Sequence, residues 1–89
     1  MAYSPEWSDA WRNANEFNWD KAIKIWSSLI DENNKQQAAM LAYNIAVSCE
    51  MKERYDLAAE WIDYSLKMFR LDPAVEYKKI ILKKLEEER

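Results

Sequence analysis

Ala38-Ala39-Met40-Leu41-Ala42-Tyr43-Asn44-Ile45-Ala46-Val47-Ser48-Cys49 decides how the rest of the chain must be arranged. Small residues at Ala38, Ala42, Ala46 and Cys49 recur every three or four positions. On a helix they form one row, along which a second helix can approach closely. The remaining apolar positions fall on other sides of the same helix, so it needs neighbours in more than one direction. Asn34, with Gln37 three residues on, supplies a capping box, and the helix is predicted from about Lys35 to Lys52.

Working outward, Trp19, Ala22, Ile23, Trp26, Leu29 and Ile30 give a clean 3.6-residue pattern, predicting a helix from Trp19 to about Asp31. Phe17-Asn18 reads as the tight turn before it, since asparagine both caps helices and tolerates left-handed backbone. Earlier still, Ser4-Pro5-Glu6 is a helix start, and Trp7, Ala10, Trp11 and Ala14 form the stripe of a helix from Pro5 to about Glu16. Toward the C-terminus, Glu53-Arg54 makes a turn without glycine or asparagine. A helix from Tyr55 to Phe69 or Arg70 then carries two stripes, Tyr55, Ala58, Ile62, Ser65, Leu66 and Phe69 on one side and Leu57, Trp61, Tyr64 and Met68 on another. Two stripes imply packing in two directions. Asp72-Pro73 repeats the cap-plus-proline signal and opens a last helix with Ala74, Tyr77, Ile81 and Leu85 on its inner side.

Five helices, no glycine and only two prolines make an all-α fold the expectation, because hairpin turns that need positive backbone angles are unsupported. At 89 residues the chain reads as a single domain. Its 49% hydrophobic and 33% charged residues fit a packed chain rather than a disordered one.

The same composition excludes much chemistry. Without histidine there is no triad, imidazole base or histidine-ligated metal, and one cysteine cannot build a zinc cluster. Without glycine there is no phosphate-cradling loop. Carboxylate pairs such as Asp63 with Glu60 or Glu50 with Glu53 are ordinary on solvated helix faces, so the chain reads as a non-enzyme needing no cofactor. Cys49, on an apolar face, reads as a buried thiol, and a lone cysteine leaves the compartment open. A net charge of −3 gives no field for a phosphate backbone, so nucleic acid is not an expected partner. No apolar run approaches the ~18 residues that span a bilayer. Met1-Ala2-Tyr3-Ser4-Pro5 lacks the basic and apolar regions of a signal peptide, so no membrane contact is expected of this segment itself.

The chain also repeats. A shift of 36 residues aligns Trp19-Asp20-Lys21-Ala22 with Tyr55-Asp56-Leu57-Ala58, Trp26 with Ile62, Trp7 with Tyr43 and Ala10 with Ala46. A period in the thirties with two helices per copy is the mark of a helical solenoid. These residues resemble the tetratricopeptide repeat. Tyr43-Asn44-Ile45-Ala46 looks like the core of its first helix, Tyr55-Asp56-Leu57-Ala58 with Ile62 and Ser65 like its second, and Leu71-Asp72-Pro73 like its closing Leu-Asp-Pro. The likeness is good over about 38–72 and degenerate over about 5–34. Glu53 stands where the repeat has glycine, and two or three extra residues precede Leu71-Asp72-Pro73. The resemblance implies two antiparallel helical hairpins in a right-handed stack, with residues of about 73–88 as a capping helix.

By the same resemblance the first helix of each unit lines a concave face. That selects Trp7, Trp11, Met40, Tyr43, Val47, Glu50 and Tyr77 as candidate partner-binding residues. Aromatic and methionine side chains dominate such hot spots. The implied role is a protein-interaction module taking a peptide or a partner surface, a second copy of the chain among them. The alternative is a structural packing or oligomerisation domain of a larger protein with no free ligand, its face filled by the last helix or by a neighbouring chain. Asn18-Trp19-Asp20-Lys21-Ala22-Ile23-Lys24-Ile25-Trp26, Ala38-Ala39, Tyr43-Asn44-Ile45-Ala46 and Ala58-Ala59-Glu60-Trp61 are moreover similar to the C-terminal helical region of exported Bacteroidetes lipoproteins of unknown function. That likeness implies a periplasmic or outer-membrane-associated fragment of a longer protein; without it the expectation is cytoplasmic.

Overall fold

A computed structural model describes residues 18–88, and within them the chain is helical with no strand. Four helices rather than five are described: α1 Trp19–Ser28, α2 Lys35–Met51, α3 Tyr55–Met68 and α4 Asp72–Glu87. The predicted helix from Pro5 to Glu16 lies outside these residues.

Local chemistry sets each boundary. α1 stops three residues before its predicted end because the Ser27 and Ser28 hydroxyls donate back to the carbonyls of Lys24 (3.0 Å) and Ile25 (2.7 Å), competing with the helix ladder. Asp31 then organises the turn, its carboxylate accepting from the Asn33 amide at 3.0 Å. The predicted cap at Asn34 is present: its side chain accepts from the Gln37 amide at 3.3 Å and donates to the Gln37 side chain at 2.8 Å. At the far end of α2, Glu53 adopts φ 60°, the left-handed conformation usually left to glycine. The Glu53 amide bonds to the Glu50 carbonyl at 2.8 Å and the Arg54 amide to the Cys49 carbonyl at 2.9 Å. This pair of bonds is a Schellman closure made without glycine. α3 ends at Met68 because Phe69 swings to extended backbone, φ −162° and ψ 130°. α4 is capped one residue earlier than predicted, the Leu71 carbonyl accepting from Ala74 and Val75 while Asp72 sits in the first turn.

α2 is the hub. Ala38, Ala39, Leu41, Ala42, Ile45, Ala46, Ser48 and Cys49 are all buried, so the small-residue row is one side of a helix enclosed over most of its circumference. α1 runs back along α2, tied by the Lys52–Asp20 ion pair between their far ends. α3 also runs back along α2: the closure at Cys49 sits at one end, and the buried Ser65 hydroxyl donates to the Ala39 carbonyl at 2.7 Å toward the other. α4 packs on α3, with Lys78 pairing to Asp63 at 2.7 Å, and lies parallel to α2, where Tyr43 meets Tyr77 and Glu50 meets Lys84. One core cluster joins Ala22 and Trp26 to Leu41, Ile45, Cys49, Ala58 and Ile81; a second joins Ala46, Ile62 and Ala74. Burying large side chains such as Leu41, Ile45, Ile62 and Ile81 stabilises the fold by about 1.5–3 kcal/mol each.

Candidate functional site

The residues singled out by sequence divide into three groups. Trp7 and Trp11 lie outside the described residues. Tyr43, Glu50 and Tyr77 are brought together, but onto one another. The Tyr43 and Tyr77 rings meet with centroids 5.4 Å apart at 54°. The Tyr77 hydroxyl donates to Glu50 Oε1 at 2.5 Å, and Lys84 Nζ donates to Glu50 Oε2 while lying 5.5 Å above the centre of the Tyr55 ring. The Glu50 side chain is only 16% exposed. Burial pushes its carboxyl up, yet the hydrogen bonds from Lys84 and Tyr77 and the Lys84 charge outweigh burial and hold it below the ordinary glutamate value. Burial and then the Glu50 carboxylate push the Tyr77 phenol far up, and the hydrogen bond to Glu50 raises Lys84. This cluster locks α4 against α2, and its acid and base neutralise each other. Lys84 and Tyr55 were not selected from sequence, although Lys84 falls seven residues, two helical turns, beyond Tyr77.

Met40 and Val47 form the third group. They lie on the outer side of α2, in line with Asn44 and with Met51, which the sequence reading did not select although it continues the 40, 44, 47, 51 spacing. Met40 and Met51 are 39% and 55% exposed. The only charged residues of α2 are Lys35 and Glu50, and Glu50 is turned into the α4 contact, so this outer strip is apolar and amide in character.

A separate groove of about 580 Å³ lies between α1 and α3, on the side away from α4. Ser27 and Ile30 line it from the α1 end, Glu32 from the following turn, and Glu60, Trp61 and Tyr64 from α3. The sequence reading took Trp61 and Tyr64 for a packing stripe. Trp61 does pack against both core clusters, but it and Tyr64 remain half-buried, edge to face with centroids 5.8 Å apart, because α1 and α3 both lean on α2 and barely meet each other. The Tyr64 hydroxyl reaches Glu32 Oε1 at 3.4 Å; burial, followed by the Glu32 charge, raises the phenol.

Among the described residues no group of three histidine, cysteine, aspartate or glutamate side chains could hold a metal ion, and no helix is long and apolar enough to cross a membrane. Cys49 is buried, and burial raises its thiol above the ordinary value, which disfavours the reactive thiolate. Residues 8–87 match a family described as a domain of unknown function, DUF6340. The chain belongs to the DUF6340 family. No curated protein and no solved structure matches it. What is distinctive about this DUF6340 chain is therefore carried by its own surfaces: an internal Tyr77–Glu50–Lys84 lock, an apolar strip on α2, and an acid-rimmed aromatic groove.

Proposed function

We propose that the domain is a non-enzymatic protein-interaction module built as a tetratricopeptide-like stack of helical hairpins. The observation that carries the reading is the Met40–Asn44–Val47–Met51 strip of the most buried helix, with exposed methionines at both ends and half-buried Asn44 and Val47 between them. A hub helix whose outer side keeps methionine and valine instead of charge suits an adaptable apolar contact with a peptide or partner surface. The parallel placement of α2 and α4, with partners 34 residues apart in Lys84–Glu50 and a close approach of the small residues Ala46 and Ala74, supports the repeat reading. Tyr43, Glu50 and Tyr77 serve the stack rather than the ligand in this reading, which moves the contact from the predicted set toward Met40, Val47 and Met51.

Selecting a random peptide display library on the full chain tests this. Binders are expected whose affinity falls roughly tenfold in Met40→Asp or Val47→Asp variants that melt like the parent, the loss of one buried apolar anchor. If every selected peptide binds both variants unchanged, the reading fails. The oligomerisation alternative, favoured by the internal use of Tyr43, Glu50 and Tyr77, predicts a concentration-dependent dimer in sedimentation that Met51→Asp dissociates.

A further inference from the structure

The groove between α1 and α3 is independent of the α2 strip and has its own chemistry. Its rim carries two carboxylates, Glu32 and Glu60, neither of which has a cation within ion-pair distance among the described residues. Asp20, Glu50, Asp56, Asp63, Asp72 and Glu76 each pair with a lysine or arginine, while Glu32 and Glu60 share the unpaired state of Asp31, Glu53 and Glu86–Glu88 among the described residues and differ from these in lining an aromatic groove. The wall of the groove is aromatic: Trp61 and Tyr64 stand at 75° to each other, so one ring offers a face where the other offers an edge. Ile30 adds aliphatic lining opposite them. At about 580 Å³ the space falls within the ~300–1,000 Å³ of small-ligand sites.

We infer that this groove binds an arginine side chain presented by a basic peptide segment of a partner protein. A guanidinium matches each part of the wall: its flat face stacks on indole or phenol, its fork of N–H donors meets carboxylates side-on, and its methylene stem lies along Ile30. It is also more weakly hydrated than an ammonium, so it loses less on entering a half-buried aromatic site. Binding would replace the long 3.4 Å Tyr64–Glu32 contact with a charge-assisted one. The chain's net charge of −3 adds a general attraction for basic segments without fixing where they dock; the aromatic corner and the two carboxylates do that.

The test is an NMR titration of the full, isotopically labelled chain with the capped peptide Ac-Ala-Arg-Ala-NH2, beside its citrulline and lysine counterparts. Citrulline keeps the shape of arginine and removes the charge. The expected result is a saturable shift at the Trp61 indole N–H with a Kd of about 1 mM, weakened about tenfold by citrulline and several-fold by lysine. Glu60→Gln, which changes an exposed side chain, is expected to weaken binding about tenfold, with Glu32→Gln similar and Met40→Asp without effect. Trp61→Ala should abolish it; since Trp61 also packs on both core clusters, Glu60→Gln decides the matter if that variant does not fold. The inference is overturned by equal affinity for the citrulline or lysine peptide, by shifts centred on Glu86–Glu88 instead of Trp61, or by no saturable shift up to about 20 mM.

Discussion

Replacing Tyr77 with phenylalanine removes one oxygen from the α2–α4 lock and nothing else of its shape. That oxygen donates at 2.5 Å to a Glu50 carboxylate that is only 16% exposed. A hydrogen bond to a charged group contributes about 1.5–3 kcal/mol. Lys84 still holds the other carboxylate oxygen, so the lower part of that range, about 1.5–2 kcal/mol, is expected for Tyr77→Phe. With an unfolding entropy of about 2.1 cal/mol/K per residue over 89 residues, each kcal/mol moves Tm by about 5 °C, giving a fall of about 8–10 °C. Urea titration followed by tryptophan fluorescence at pH 7, in wild type, Tyr77→Phe, Glu50→Gln and the double variant, measures the coupling directly. A coupling energy of about 1 kcal/mol or more between the two positions is expected. One within about 0.3 kcal/mol of zero refutes the lock, because the two groups would then contribute independently.

The lock also sets a pH profile. Glu50 is held below its ordinary value, so as pH falls the unfolded chain takes up that proton first, and the contribution, complete above about pH 4.3, fades as pH drops through the lower folded value. Tyr77 and Lys84 are raised, so their contribution is complete below about pH 10 and fades as pH climbs above it. Glu50→Gln should therefore flatten the acid side of the wild-type stability curve, and an unchanged acid limb would count against the assignment.

Three further outcomes are expected. Glu53→Gly relieves the left-handed strain of about 1–2 kcal/mol but adds about 0.5–1 kcal/mol of unfolded-chain entropy, so the variant should gain about 0.5–1 kcal/mol in urea denaturation, and no gain would mean that the turn is unstrained. Ala46→Leu, at a fully buried position packed with Ile62 and Ala74, should cost about 1–3 kcal/mol by overpacking; unchanged stability would show that the seam has spare room. Native Cys49 should react with iodoacetamide roughly a hundredfold or more slowly than in urea, and equal rates would place the thiol at the surface.

Helix positions within 18–88 were legible because they rest on local chemistry: the 3.6-residue stripes, the Asn34–Gln37 cap, the proline after Leu71. The ends differed for local reasons as well: the Ser27 and Ser28 hydroxyls compete for the backbone at the end of α1, Phe69 turns to extended backbone after α3, and the Leu71 carbonyl takes the first amides of α4. Sequence reasoning placed Tyr43, Glu50 and Tyr77 together on a partner-binding face, whereas in the fold they touch one another. It could not foresee that Tyr77 and Lys84 would satisfy Glu50, because one residue's partner depends on the azimuth of the helix opposite. The same limit hid the groove at Trp61 and Tyr64: an aromatic stripe has identical spacing whether a helix covers it or leaves it open.

By itself the sequence determined an all-helical chain with α2 at its centre, since small residues on one side and apolar residues on the others can be satisfied only by enclosure. It also removed histidine, glycine-loop and zinc-cluster chemistry by composition. Only the tertiary structure decided which aromatic and charged residues consume one another and which remain available. That choice is set by the distances between helices, and α2 holds α1 and α3 far enough apart to leave Trp61, Tyr64, Glu32 and Glu60 around an open groove.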